Sequence, residues 1–135
     1  MSKSLIYTAN TTGAAVPIGN TIPVGSIIRR YGPCIDATGS ALNLTEAGYY
    51  DVDVSATVTA ATAGDVVLAL TQDGVPVPGA RAAATITTPT TQAESLTINA
   101  LIRVRCCGNS NIAVLVDGTT APTIENMAIR AVKVV

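Results

Sequence analysis

A chain of 135 residues with 48% hydrophobic content is one domain of ordinary size, able to form a core. Aromatics are only 3%, with no Trp and no Phe, so Val, Ile, Leu and Ala must fill that core. Charged residues are 13% and the net charge is -1, against roughly a quarter charged in an ordinary soluble domain. Such a surface reads as one that meets other protein. It lacks the basic stripe that nucleic acid requires. There is no histidine, which removes the Ser-His-Asp triad, the Cys-His pair and the commonest metal ligand. The expectation is therefore no enzyme, no cofactor and no metal. No segment approaches the roughly 20 apolar residues that span a bilayer, so no membrane partner is expected.

In chain order, Met1–Thr8 turns polar before an apolar stretch develops, so no export signal is expected. Runs rich in Thr, Val and Ile then alternate with Gly, Asn, Asp and Pro punctuation. The spacing predicts strands over 4–9, 14–18, 26–31, 41–44, 48–60, 65–72, 75–87, 93–106, 110–116 and 123–134. In 48–60, Tyr50, Val52, Val54, Ala56 and Val58 share one face; Tyr49, Asp51, Asp53, Ser55 and Thr57 share the other. In 93–106, Leu96, Ile98, Ala100, Ile102, Val104 and Cys106 oppose Ser95, Thr97, Asn99, Leu101, Arg103 and Arg105. Asp73-Gly74 and Asp117-Gly118 read as two-residue hairpin turns, and Asp36 and Asp65 as further turn residues. Pro76 and Pro78 mark 75–87 as an edge strand or one carrying a bulge. No helix of period 3.6 stands out. The fold class is all-β, an antiparallel sandwich or jelly roll of about 8–10 strands.

Few side chains suggest chemistry. Asp51 and Asp53 lie about 7 Å apart on one strand face, which fits a cation site or acid/base pair, but a solvated or ion-paired polar face is the plainer reading. Cys106-Cys107 allows a vicinal disulfide or metal ligation; packing of Cys106 in the core with Cys107 outward is the plainer reading. Cys34 reads as a small buried residue. Asn10-Thr11-Thr12 and Asn43-Leu44-Thr45 match the glycosylation sequon only by accident if the chain is not exported. Tyr7, Tyr31, Tyr49 and Tyr50 read as core or interface packing.

The segment Ala41–Val52, A-L-N-L-T-E-A-G-Y-Y-D-V, resembles the "I-x-L-x-x-x-G-x-Y-x-V" stretch of the C1q/TNF-like jelly roll. Val66–Ala80 is similar to that family's central hairpin, and Ala128–Val135 to its closing strand. The resemblance covers about residues 26–135. Bacterial and phage versions cap collagen-like surface proteins or stand on virions; no Gly-X-Y repeat occurs in this chain. The resemblance implies a homotrimer whose threefold axis is faced by the sheet holding strands 48–60 and 93–106. The trimer-interface candidates are then Tyr49, Asp51, Asp53, Ser55, Asn99, Leu101, Arg103 and Arg105. If those strands are antiparallel neighbours, Asp51 opposes Arg105 and Asp53 opposes Arg103, with Val52 on Val104 and Val54 on Ile102 in the core.

The function this implies is a trimeric capsid decoration or head-fibre module on a phage virion surface, made in the host cytoplasm. Its expected partners are a major capsid or other virion protein and a host-surface glycan. The alternative is a trimeric ligand- or carbohydrate-binding module of a bacterial cell or spore surface. Residues 1–20 stand as either the first strand of the sandwich or a docking arm, with Leu5, Ile6 and Tyr7 as particle-docking candidates; residues 21–135 form the jelly roll.

Overall fold

The computed structural model describes residues 3–105 and 109–135. They form eleven strands and no helix. β1 (Leu5–Asn10), β2 (Ala14–Ala15), β3 (Ser26–Tyr31), β6 (Gly48–Ala60), β9 (Glu94–Val104) and β11 (Pro122–Lys133) build one sheet, in the order β3-β1-β11-β6-β9, with β2 on the start of β11. β4 (Ile35–Thr38), β5 (Ala41–Leu44), β7 (Gly64–Gln72), β8 (Val75–Ile86) and β10 (Ser110–Gly118) build the other, in the order β4-β5-β10-β7-β8. Every pairing is antiparallel.

Alternation of side chains sets the layers. Val52, Val54, Ala56 and Val58 of β6 point between the sheets with Leu96, Ile98, Ile102 and Val104 of β9. Leu68, Leu70, Ile112, Val114 and Val116 face them from the second sheet. Of the four tyrosines only Tyr50 is buried, so the core is aliphatic, as the composition requires. Cys34 is buried and free; Cys106 and Cys107 lie outside the described residues.

Four expectations are corrected. The short strand β4 occupies Ile35–Thr38, so Asp36 is a strand residue opposite Asn43. Asp65 likewise lies within β7, opposite Thr85. Asp73-Gly74 does turn a hairpin, with both φ angles positive, but Asp117-Gly118 does not: β10 and β11 belong to different sheets. Gly118 (φ +104°) instead packs against Asp65, where an added Cβ would lie 2.5 Å from the carbonyl oxygen. The fourth correction is the register of β6 and β9. They are neighbours, but Asp51 opposes Leu101, Asp53 opposes Asn99, Val52 opposes Ala100 and Val54 opposes Ile98. The slip is four residues, so every side chain keeps its face and changes its partner. The observed register pairs all of β9; the expected one would carry Glu94 and Ser95 past the end of β6.

β8 ends the five-stranded sheet, with Pro76 and Pro78 exposed and a bulge between Ala69 and Thr71. It is both edge and bulged, the two options its prolines allow.

Candidate interaction face

One face of the six-stranded sheet packs on the core and the other is open. On the open face, strand register lines up side chains in rows. Tyr31, Leu5, Val132, Asp51 and Leu101 form one row from β3 across to β9. The next holds Arg29, Tyr7, Arg130, Asp53 and Asn99. Beyond it stand Ala9, Ala128, Ser55 and Thr97, all small. On the other side of the first row, Tyr49 opposes Arg103, and the Val134 amide donates to the Tyr49 carbonyl at 2.9 Å. The face is thus graded: large apolar and aromatic groups near the chain termini, small ones at the far end.

Exposure makes the gradient informative. Leu101 is 62% exposed, Tyr31 65% and Val134 51%, with Leu5, Tyr7 and Tyr49 near 40%. Scattered exposed apolar residues are ordinary; a contiguous set on one sheet face marks an interaction surface.

Tyr49, Asp51, Asp53, Ser55, Asn99, Leu101 and Arg103 all lie on this open face, and Arg105 continues its parity just beyond β9. Leu5 and Tyr7 share the face from β1, so the two groups of candidates form one surface. Ile6 does not belong to it. It points inward and is wholly buried, because neighbours on a strand face opposite ways. Leu5–Asn10 is paired on both sides, by β3 and β11, and so is a sheet strand rather than an arm.

The electrostatics also differ from expectation. Asp53 is engaged by Arg130 of β11, whose Nη2 donates to Oδ2 at 2.8 Å, and not by Arg103. Both partners are substantially exposed, so the pair contributes little stability in isolation. Only the sheet order reveals that Arg130 stands beside β6. Among the described residues, no three His, Cys, Asp or Glu side chains group as metal ligands, and Asp53 is engaged by Arg130.

No protein-family model matches the chain, and no curated protein matches it in sequence. Solved structures do. Eiger TNF from S. frugiperda superposes with a TM-score of 0.71 at 16% identity, over 99% of this chain and 93% of that one. The globular domain of zebrafish complement 1qA protein gives 0.69 at 6%, over 94% of each. PRD1 vertex protein P5 gives 0.64 at 14%, over 100% of this chain and 99% of that one. At such identities the likeness speaks to architecture: the chain has the TNF/C1q-like jelly-roll fold.

Proposed function

We propose that this protein is a non-enzymatic structural module that assembles as a homotrimer through the open face of the six-stranded sheet and decorates a virion surface. The observation that carries the reading is the row Tyr31-Leu5-Val132-Asp51-Leu101, which presents large apolar groups to solvent at both ends of the sheet. Burying such groups against sister copies releases about 25 cal/mol per Å² of apolar area. The likeness to a vertex protein favours a virion over other surfaces.

The mechanism is adhesion by shape. The apolar end of the face holds three copies together, while the small residues Ala9, Ala128, Ser55 and Thr97 let backbones approach closely at the other end. Docking to the particle then falls to surface outside this face. Light scattering of the purified chain tests the assembly: three times the mass of one chain is expected, and a monomer at micromolar concentration overturns it. Mass spectrometry of purified particles tests the location, and absence of the protein from them overturns the virion reading alone.

A further inference from the structure

The six-stranded sheet ends in β3, and that edge is open. β3 pairs with β1 on one side, and no strand follows on the other. All six residues of Ser26–Tyr31 are exposed. Beyond the ladder to β1, the one hydrogen bond that reaches the β3 backbone among the described residues is its own: Arg29 Nη1 donates to the Ile28 carbonyl at 2.9 Å. Ile28 is also the residue the ladder skips, since Tyr7 stands opposite Arg29 and Thr8 opposite Ile27. The edge is apolar as well as open. Ile27 is 43% exposed, Ile28 44% and Tyr31 65%. Ile27 stands opposite the fully buried Thr8, so the core does not close over this strand.

The other sheet ends are better guarded. β4 is four residues long and includes Asp36. β8 carries Pro76 and Pro78, which cannot donate to a ladder, and β9 lies against β8 where the two sheets meet. β3 carries adjacent arginines instead. Arg29 stands opposite Tyr7 on the open face and Arg30 opposite Ile6 on the inward one, so each face of the sheet ends in a cation. Arg29 has no ion-pair partner among the described residues; Arg30 has Asp36 at 3.9 Å, both side chains being exposed. Edge cations deter pairing with a like strand. Against β3 of a second copy they would set arginine against arginine, and like charges directly opposite are destabilising. A strand bearing carboxylates meets the opposite sign on both faces.

We propose that the free edge of β3 takes up an extended acidic segment of a partner protein, which adds to the six-stranded sheet as a further strand. Main-chain hydrogen bonds to the unpaired side of β3 supply the attachment, and side chains supply the choice of partner. Neighbouring carboxylates on the segment fall on opposite faces and so meet Arg29 and Arg30, one each. Arg29 then exchanges its own backbone carbonyl for a carboxylate, a stronger acceptor. Apolar residues flanking the acids lie beside Ile27, Ile28 and Tyr31. This edge supplies a docking surface beside the open face, as decoration of a particle requires, but it does not rest on that reading. It is complete in one chain, so strand addition, trimer mass and particle location are separate measurements that fail separately.

The test is titration of the isotope-labelled full chain, followed by backbone amide NMR, with the end-blocked peptide Thr-Val-Glu-Glu-Val-Thr. Its sequence is palindromic, so either strand direction offers the same side-chain order. Saturable shifts centred on residues 26–31 are expected, with slower hydrogen exchange of the β3 amides. Thr-Val-Lys-Lys-Val-Thr should bind at least roughly tenfold more weakly. Arg29→Glu leaves one cation and one anion at the edge, so it should abolish the preference between the two peptides. Arg81→Glu, an exposed position on β8, should retain it. No saturation at residues 26–31, shifts centred on another edge, or an acidic preference undiminished in an Arg29→Glu chain of unchanged melting temperature overturns the proposal. Shifts of the β3 amides that grow with protein concentration alone identify a second copy as the occupant and overturn it too.

Discussion

Glu46 ties together one end of the sandwich. Its Oε1 lies 3.7 Å from Lys133 Nζ, its Oε2 accepts from the Cys34 thiol at 2.8 Å, and its carbonyl accepts from the Tyr50 phenol at 2.6 Å. Lys133 is the exposed case inverted, a lysine side chain only 3% accessible. Gly48 makes room for it: a Cβ there would sit 3.1 Å from Lys133 Nζ and 2.3 Å from the Val135 carbonyl. Replacing Glu46 by Ala leaves a buried ammonium without this carboxylate. We expect a loss of about 1–2 kcal/mol, moderated by solvent at the 38% exposed Glu46 side chain. Urea denaturation checks it, and adding Lys133→Met should restore part of the loss. Tyr50 adds a pH dependence. Burial, with a smaller contribution from Cys34, pushes its phenol above the ordinary value of 10.0. The folded state holds this proton more tightly than the unfolded chain does. Its stabilising effect is therefore complete below pH 10 and is lost as pH rises through the higher folded value. Tyr50→Phe should flatten that alkaline loss, at a cost of roughly 1 kcal/mol near neutrality from the missing hydrogen bond. An alkaline unfolding limb identical in both proteins contradicts it.

Strands depend on what brings them side by side. Gly25 precedes β3 with φ +85°, and a Cβ there would lie 2.2 Å from the Ala9 carbonyl oxygen. It thus permits β3 to lie against β1. Gly25→Ala should destabilise by at least about 2 kcal/mol, from a disfavoured φ and a backbone clash together, read as a lower urea midpoint. A midpoint within error of the parent would show that β3 reaches β1 by another route. The same dependence explains what the sequence could and could not disclose. Alternation is local, so the inward and outward faces of β6 and β9 were legible, and with them the part of the open face those two strands carry. Register is not local. A slip by an even number of residues keeps every apolar group inward, so hydrophobic pattern cannot separate Asp51 opposite Arg105 from Asp51 opposite Leu101. β7 and β8, which belong to the other sheet, intervene between β6 and β9 in sequence, so no hairpin turn fixes their pairing. The Asp53–Arg130 pair was hidden for the same reason, since it depends on sheet order. β4 is not legible because four residues containing an Asp and a Thr carry too little apolar pattern, whereas the parity of Leu5–Asn10 does put Ile6 on the inward side.

The whole molecule is an aliphatic sandwich with one unfinished side. Its aromatic rings are spent outside the core: Tyr7, Tyr31 and Tyr49 stand on the open face, and only Tyr50 is inside. A monomer gains little from that distribution, whereas an assembly gains buried area where rings are most effective. Leu101 is the sharpest place to test this, being 62% exposed on β9 at the end of the apolar row. Leu101→Asp places a carboxylate in that row beside Asp51, so each protomer contact would have to desolvate it. The fold should survive, because the side chain is 62% exposed on the open face, and the melting temperature at low protein concentration should match the parent's. The proposed trimer should not survive equally. We expect its dissociation constant to rise by roughly a hundredfold, about 2–3 kcal/mol. Val75→Asp provides the comparison. Val75 is 66% exposed but lies on β8 of the other sheet, and its substitution should leave the mass distribution unchanged. If sedimentation equilibrium shows Val75→Asp dissociating and Leu101→Asp intact, the copies meet through the five-stranded sheet and the assignment of faces is reversed. If both variants and the parent sediment as one chain, the exposed row serves a different partner.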